Sequence, residues 1–263
     1  MKRVTLVTVL SLVLALVLAV PSMAQTGPRV RVVHASPDAP AVDVWVDGSI
    51  AFENAPFKGI TPYATLSAGT HNFQVVPTGA TEPVVIDGDY DLQMDQDYTI
   101  AAVGRLENIE PLAIADDNTL PAAGQARVRF VHLSPNAPEV DIAVADGGPV
   151  LFAGVEFKEA MDYLSVDAGT YDLEVRPAGT EDVALSVPGV ALEDGAVYTV
   201  FAMGLLGEEP ALSAVLSVDA TAAPETLPAT GGISYALYAG LALAALGLVA
   251  MGFGVKRLAL ERS

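Results

Sequence analysis

One motif occurs twice in this chain, and the repeat constrains the fold more than any other feature. The chain reads RVRVVHASPDAPAVDVWV from Arg29 and RVRFVHLSPNAPEVDIAV from Arg127, with 12 of the 18 positions identical. Phe-Lys, Ala-Gly-Thr and Tyr-Thr recur later at an offset of 100 residues. This period is far longer than a solenoid unit, so it indicates two tandem domains. We define residues 25–117 as copy 1 and residues 127–219 as copy 2, with a linker at 118–126.

Each copy has the pattern of a β domain. Val42, Val44 and Val46 alternate with more polar positions, as in a half-buried strand. Turn-forming Gly, Pro, Ser and Asp residues separate seven or eight such segments in each copy. The sequence therefore predicts an all-β fold of two tandem immunoglobulin-like antiparallel β-sandwiches, each with its own core. A closed barrel is the alternative.

The N-terminus has the layout of a secretory signal peptide. Lys2 and Arg3 precede an apolar run, and small residues end at Ala24. We predict a signal peptide at 1–24, cleaved before Gln25. An uncleaved N-terminal anchor is the alternative reading.

The C-terminal segment has the layout of a membrane anchor. Residues 233–255 carry no charge and are long enough to cross a bilayer as a helix. The basic tail at 256–263 is expected to stay cytoplasmic, by the positive-inside rule. The lipid bilayer is therefore a predicted partner through a transmembrane helix.

The linker at 220–232 contains the pentapeptide Leu227, Pro228, Ala229, Thr230 and Gly231. It resembles the sorting signal of sortase substrates, in which the pentapeptide precedes an apolar span and a basic tip. The resemblance implies cleavage after Thr230 and transfer of its carboxyl group to a peptidoglycan precursor. Pro228 would keep the segment extended for the enzyme. The alternative is an ordinary single-pass anchor in which the pentapeptide occurs by chance.

Charge excludes one class of partner. Residues 25–226 contain 8 Lys and Arg but 31 Asp and Glu, so this surface would repel nucleic acid. No cysteine is present, and the predicted domains must be stable without disulfides.

The repeated motifs also carry a resemblance to a known family. The opening VRxVHxSPxAPxVD, the later AGTY hairpin and the YTV strand resemble the bacterial domain of unknown function 4397 family. This implies an exported envelope protein and supplies no catalytic residues. Copy 1 departs from the pattern at His71, where copy 2 has Tyr171.

One residue set in each copy could in principle support hydrolysis. The members are His34, Ser36 and Asp43 in copy 1, and His132, Ser134 and Asp141 in copy 2. A Ser-His-Asp relay is one interpretation, but the serine precedes a proline, without the turn that usually presents a nucleophile. The preferred interpretation is structural, with each histidine bonded to an aspartate or a turn carbonyl.

Two further features of copy 1 suggest ligands. Asp87, Asp89 and Asp91 begin with the spacing of a calcium loop, but the later positions do not match one. Ca²⁺ is thus the alternative ligand, and solvated charges on a strand are the preferred interpretation. Trp45 could bind sugar, although we expect it to cover a sheet edge or the interface between the copies.

Together these features predict a non-enzymatic protein on the outer side of the cell envelope. It would be membrane-bound or covalently attached to the wall, with a structural or adhesive role toward an unidentified extracellular ligand. The alternatives are a calcium-dependent or glycan-binding module and a cell-envelope hydrolase using the repeated histidines.

Overall fold

The computed structural model describes residues 27–222, which form eight β-strands in each copy and contain no α-helix. Copy 1 contains β1 (Arg29–His34), β2 (Val42–Val46), β3 (Ser49–Ala55), β4 (Ala64–Thr65), β5 (Gly69–Pro77), β6 (Ile86–Leu92), β7 (Asp97–Val103) and β8 (Glu110–Asp116). Copy 2 contains β9 (Gln125–His132), β10 (Val140–Val144), β11 (Val150–Val155), β12 (Leu164–Asp167), β13 (Gly169–Pro177), β14 (Leu185–Leu192), β15 (Ala196–Met203) and β16 (Ser213–Thr221). The all-β prediction is confirmed over this range.

Several predicted features fall outside these residues. The signal peptide, the pentapeptide at 227–231 and the transmembrane helix at 233–255 all lie beyond the described range. Within residues 27–222, no helix is long and apolar enough to span a bilayer. The described connection between the copies is 117–124, because β9 begins inside the predicted linker.

Each copy divides into two four-stranded sheets. In copy 1 the strand orders are β3-β2-β5-β6 and β4-β1-β7-β8. In copy 2 they are β11-β10-β13-β14 and β12-β9-β15-β16. Two sheets per copy confirm the β-sandwich prediction over the barrel alternative.

The predicted antiparallel arrangement holds for every named strand pair of residues 27–222 except one in each copy. β1 pairs with β7 in parallel, from Arg29 opposite Asp97 to His34 opposite Ala102. β9 and β15 repeat this arrangement. Five strands separate each of these partners along the chain, so no hairpin turn forces them to run in opposite directions.

Each sandwich has its own apolar core. Val32, Val44 and Phe73 lie in the core of copy 1, and Phe130, Ile142 and Val200 lie in that of copy 2. These side chains come from alternating positions on both sheets of their copy, as expected for a sandwich.

A third cluster, which we call the inter-copy core, joins the two sandwiches. It contains residues from both copies: Val33, Ala35, Ala101, Val103, Ile114, Val131, Leu133, Phe201 and Met203. The sequence predicted one core per copy and did not predict this one. The sheets β4-β1-β7-β8 and β12-β9-β15-β16 therefore pack against each other as the two inner layers of a four-layer stack.

The two central strands of each inner sheet, β1 and β7 in copy 1 and β9 and β15 in copy 2, are buried on both faces. In β7, Ile100 and Ala102 point into the core of copy 1, whereas Ala101 and Val103 point into the inter-copy core. In β15 every residue from Ala196 to Met203 is buried. Polar side chains on these strands are consequently enclosed by protein, which sets the geometry of the site described next.

Candidate functional site: a buried arginine–aspartate network between the copies

The repeated histidines lie at the ends of their strands and contact the following turns. His34 Nε2 lies 2.9 Å from the carbonyl oxygen of Pro40, and His132 Nε2 lies 3.0 Å from that of Pro138. Both rings are fully buried. Burial lowers the pKa of each imidazole, so both are neutral at physiological pH. In the neutral ring Nε2 carries the proton, and this N–H donates a hydrogen bond to the turn carbonyl.

The aspartates of the same motif serve a different purpose. Asp43 accepts backbone N–H bonds from Asn54 and Gly79, at 2.7 and 2.9 Å. Asp141 does the same with Gly154 and Gly179, at 2.8 and 2.9 Å. The hydrogen bonds from these backbone amides lower the pKa of Asp43, and the bond from Asn54 has the largest effect. Each carboxylate thus holds one residue of the neighbouring strand, β3 or β11, and one residue of the turn that follows β5 or β13.

The structure therefore does not connect the three members of the motif as a catalytic relay. The carboxylate oxygens of Asp43 accept backbone amides, and within the described residues Nδ1 of His34 has no hydrogen-bond partner. The serine hydroxyls are buried, and that of Ser134 donates to the carbonyl of Gly204 at 2.7 Å. A buried hydroxyl that donates to a backbone carbonyl is poorly placed to attack a substrate.

The acidic residues of β6 lie on the exposed face of the outer sheet. Asp87 and Asp89 both accept hydrogen bonds from the Asn72 amide, at 2.8 and 2.9 Å, and Gln74 donates to Asp87 at 3.0 Å. Asp91 is exposed on the same face. Among residues 27–222 no group of three acidic or histidine side chains is arranged to hold a metal ion.

Trp45 is half-buried in the middle of this sheet. It lies on β2, opposite Gln74 on one side and Ile50 on the other. Because β2 is an internal strand of an outer sheet, Trp45 covers neither a sheet edge nor the interface between the copies, contrary to the expectation from sequence.

The main cluster of buried charge lies at the inter-copy core. Arg31 of copy 1 is 1 % exposed and donates from Nη1 to Asp219 Oδ1 of copy 2 at 2.5 Å. Its Nε donates to the Thr99 hydroxyl at 2.8 Å, and Nη1 also reaches Ser217 at 2.7 Å. A guanidinium buried this completely is stable only with such charged and polar partners.

Copy 2 forms the equivalent ion pair with copy 1. Arg129, at the position equivalent to Arg31, donates from Nη2 to Asp116 of copy 1. Its Nε donates to the Thr199 hydroxyl at 2.9 Å, and Nη1 reaches the carbonyl of Ala115. Each copy therefore supplies one arginine and one aspartate, and the two ion pairs are reciprocal.

Threonine and tyrosine complete both halves of the network. Thr99 and Tyr63 donate to the same oxygen of Asp116, at 2.7 and 2.6 Å. In the other half, Thr199 and Tyr163 donate to Asp219. The tyrosine rings also stack on the guanidinium groups. The guanidinium carbon of Arg31 is 4.8 Å from the ring centre of Tyr63, and that of Arg129 is 4.7 Å from the ring centre of Tyr163. Burial raises the pKa of both phenols, so they remain donors.

Two exposed ion pairs also join the copies. Arg105 of copy 1 contacts Glu208 of copy 2 at 2.8 Å, and Lys158 of copy 2 contacts Glu110 of copy 1 at 2.8 Å. These pairs are partly in solvent and add little stability. They do show that contacts between the copies extend beyond the buried centre.

The network orients two sheets and offers no free acid, base or nucleophile. Its arginines and aspartates are already paired, and its hydroxyls already donate. What the arrangement does is fix copy 1 and copy 2 as one body.

Sequence reasoning missed the network, although a signal was present. Arg31 and Arg129 occupy the same position in the two copies, and each is flanked on both sides by buried apolar residues of its strand. The run AVYTVFAM in β15 lacks the alternation of a strand with one solvated face. Such a continuous run indicates a strand buried on both faces, and hence a second packing surface.

Comparisons with known proteins bear on the family. No curated protein matches the chain. Among solved structures, the C-terminal domain of AlgF from P. aeruginosa is 15 % identical, covers 37 % of this chain and 99 % of its own, and has a TM-score of 0.28. The Bacillus anthracis TIE protein is 10 % identical over 69 % of this chain, with a TM-score of 0.23, and this chain spans only 34 % of its length. Both TM-scores are too low to indicate a shared fold.

The family profile described as domain of unknown function (DUF4397) matches two regions, residues 28–143 and 144–229. Their common boundary falls inside β10 and not at the joint between the sandwiches. The two regions cover most of the sequence, and the chain belongs to the DUF4397 family.

Proposed function

We propose that this protein is a non-catalytic module of the bacterial cell surface, exported by its N-terminal segment and held at the envelope by its C-terminal segment. Its two sandwiches act as one rigid body that presents its outer sheets to an extracellular ligand. Export and attachment rest on the sequence of the two ends, and the role of the middle rests on the geometry above.

One observation carries the non-catalytic assignment. The side chains most suited to chemistry have structural partners: the histidines contact turn carbonyls, Asp43 and Asp141 accept backbone amides, and Arg31 pairs with Asp219. The burial of Ser36 and Ser134 also argues against the hydrolase alternative.

Paired substitutions at His34 and His132 test this assignment. His34→Gln with His132→Gln should lower the midpoint of urea unfolding, because an amide replaces the bond to the turn carbonyl imperfectly. Hydrolysis of envelope esters or peptides by the wild type that disappears in a folded double variant would support the hydrolase instead.

Attachment to the wall is proposed from the pentapeptide at 227–231, the apolar span after it and the basic tip. In this proposal sortase cleaves after Thr230, and the new carboxyl group is joined to a peptidoglycan precursor. Few residues separate β16 from Thr230, so the sandwiches would stay near the membrane or within the wall.

Mass spectrometry of the C-terminus from the native host tests attachment. The proposal predicts a chain that ends at Thr230 with a wall fragment, and Thr230→Ala should move the protein to the membrane fraction uncut. An intact chain ending at Ser263 and extracted by detergent alone would leave a plain membrane anchor.

A glycan is the second candidate ligand, because of the outer sheet of copy 1. Trp45, Gln74 and Asp87 lie side by side on adjacent strands of its solvent face. An aromatic ring beside amide and carboxylate groups can stack on a sugar and bind its hydroxyls. Copy 2 has Ala143, Glu174 and Ser186 at these positions and serves as the internal control. Trp45→Ala should abolish binding on a glycan array, whereas unchanged binding would exclude this face.

A further inference from the structure

The strand β16 is an edge strand of the inner sheet of copy 2. Its one strand partner within residues 27–222 is β15, so its other side is unpaired in this range. At nine residues it is also the longest edge strand of the described sheets. An edge strand presents a row of backbone N–H and C=O groups to which a further strand can bond. β16 therefore has the backbone groups needed for strand addition.

The other edge strands each contain a feature that hinders such an addition. β4 and β12 have only two and four residues. β8 and β14 contain a proline, which lacks a backbone N–H, and β6 carries three aspartates. β3 and β11 each include a residue with positive φ, Asn54 or Gly154. Short length, proline, charge and backbone irregularity are the usual protection against edge-to-edge association.

β8 is the strand of copy 1 that is equivalent to β16. Asp116 of β8 and Asp219 of β16 have the same role in the two buried ion pairs, which aligns the two strands. In this alignment the glutamate and proline that begin β8 are replaced by Ser213 and Ala214 in β16. The two copies thus share the strand, but only copy 1 keeps its protection.

The exposed side chains of β16 are also larger than those of β8. Ala113 and Ala115 of β8 correspond to Leu216 and Val218 of β16, which are 41 % and 56 % exposed. Both lie on the same side of their strand as Ala214, which packs against the core of copy 2. A strand added to β16 would cover these two side chains and extend that core.

This edge carries no exposed charge, although the surface as a whole is acidic. Asp219 is the one charged residue of β16, and it is buried against Arg31. Residues 25–226 contain 31 Asp and Glu but only 8 Lys and Arg, so two molecules repel each other over most of their surfaces. The β16 edge is a place where two molecules can meet without bringing like charges into contact.

The regular part of β16 determines how a second molecule fits. β16 follows β15 without interruption from Ser213 to Val218, and the register shifts at Asp219. Antiparallel pairing of this part about a twofold axis at Leu216 places the two Leu216 side chains opposite each other. Each Val218 then lies opposite the small Ala214 of the other chain. The same surface is used on both sides, so the assembly closes as a dimer.

We propose that β16 of one chain pairs antiparallel with β16 of a second copy of this chain. The pairing joins the inner sheets of the two copy 2 sandwiches into one continuous sheet. Burial of Leu216 and Val218 and the backbone hydrogen bonds of the two edges stabilise it. The proposal does not depend on how the protein is attached to the envelope or on what its outer sheets bind.

Single-cysteine variants of the full-length protein in detergent test the pairing. The native chain has no cysteine, so a disulfide can form only between chains. Leu216→Cys places two sulfur atoms opposite each other at the twofold axis, and mild oxidation should give a covalent dimer. Ala113→Cys, at the equivalent exposed position of β8, is the matched control and should give only background. Val218→Cys should also give background, because its two sulfur atoms would lie four residues apart along the strands, about 13 Å.

A lysine at the edge supplies a second variant with the same readout. Val218→Lys in the Leu216→Cys chain should lower the dimer yield several-fold, because the ammonium group would be covered by the second strand. Ala115→Lys in the Leu216→Cys chain adds the same charge to β8 and should leave the yield unchanged. Association through any other part of the chain contributes equally to both variants.

A dimer yield from Leu216→Cys no higher than that from Ala113→Cys would overturn the proposal. This result is also the one expected if the edge binds an extended peptide of a different protein. Equal yields from Leu216→Cys and Val218→Cys would contradict the antiparallel register. A yield that Val218→Lys does not lower would show that the cysteines meet without strand pairing.

Discussion

Arg31 of copy 1 and Asp219 of copy 2 form an ion pair that is buried on both sides, with side-chain exposures of 1 % and 0 %. The two residues are 188 positions apart in the sequence. Neither charge has access to water. Arg31 also lies 3.8 Å from Asp116 of its own copy, whereas Asp219 has its cation only from the other copy among the described residues. This dependence makes the pair a sensitive probe of the interface.

Arg31→Met should destabilise the protein by about 3–5 kcal/mol, because it leaves Asp219 buried without its cation. Urea unfolding followed by tryptophan fluorescence measures the change, since Trp45 is the single tryptophan. Arg105→Met is the matched control, because Arg105 also pairs across the copies but is exposed to solvent. A midpoint shift no larger than that of the control would show that the buried pair contributes little.

Asp43→Ala should cost about 1–3 kcal/mol for each backbone amide left without its acceptor, because the amides of Asn54 and Gly79 both donate to this carboxylate. Asp43→Asn, which keeps one carbonyl oxygen, should retain part of that stability. Thermal unfolding compares the two variants with the wild type. If Asp43→Ala and Asp43→Asn lose the same stability, the effect comes from the charge of Asp43 and not from the two hydrogen bonds that it accepts from backbone amides.

His71 should give copy 1 a stability that decreases as the pH rises. Its Nδ1 faces Asp47 at 2.6 Å and its Nε2 faces the carbonyl of Ser67 at 2.9 Å, so both nitrogens meet acceptors and the ring is held as imidazolium. The hydrogen bond that His71 donates to the Asp47 carboxylate is the main cause that raises the pKa of His71 above its ordinary value of 6.5. The contribution is then complete below pH 6.5 and is lost as the pH rises through the higher pKa of the folded state.

Copy 2 supplies the control for His71, because Tyr171 occupies that position and donates to the carbonyl of Asp167 at 2.6 Å. We expect the stability of the wild type relative to His71→Tyr to decrease as the pH rises above 6.5. Protonation of His34 and His132 changes stability with pH in the opposite direction, because burial lowers their pKa values. This effect cancels in the comparison, since the wild type and the variant both contain these residues. A difference that does not vary with pH would contradict the imidazolium assignment.

The repeat and the alternating valines were sufficient to predict two all-β sandwiches, since both are local patterns. The parallel pairing of β1 with β7 was not accessible in this way, because it depends on how strands distant in sequence meet. The contacts of His34 and His132 with turn carbonyls lie within six residues of each histidine and so belong to the local motif.

The network between the copies could not be derived residue by residue. Its arginines lie near the start of each copy and its aspartates near the end, and each ion pair joins different copies. The run AVYTVFAM of β15, which lacks the alternation of a strand with one solvated face, indicates that a second packing surface exists. Only the structure shows that this second surface of β15 packs against the other copy.

The most direct test of the claim that the copies form one body is differential scanning calorimetry of the purified protein. A shared core with reciprocal buried ion pairs predicts a single transition whose calorimetric and van't Hoff enthalpies agree. Two separate transitions, with one copy unfolding while the other remains native, would contradict it.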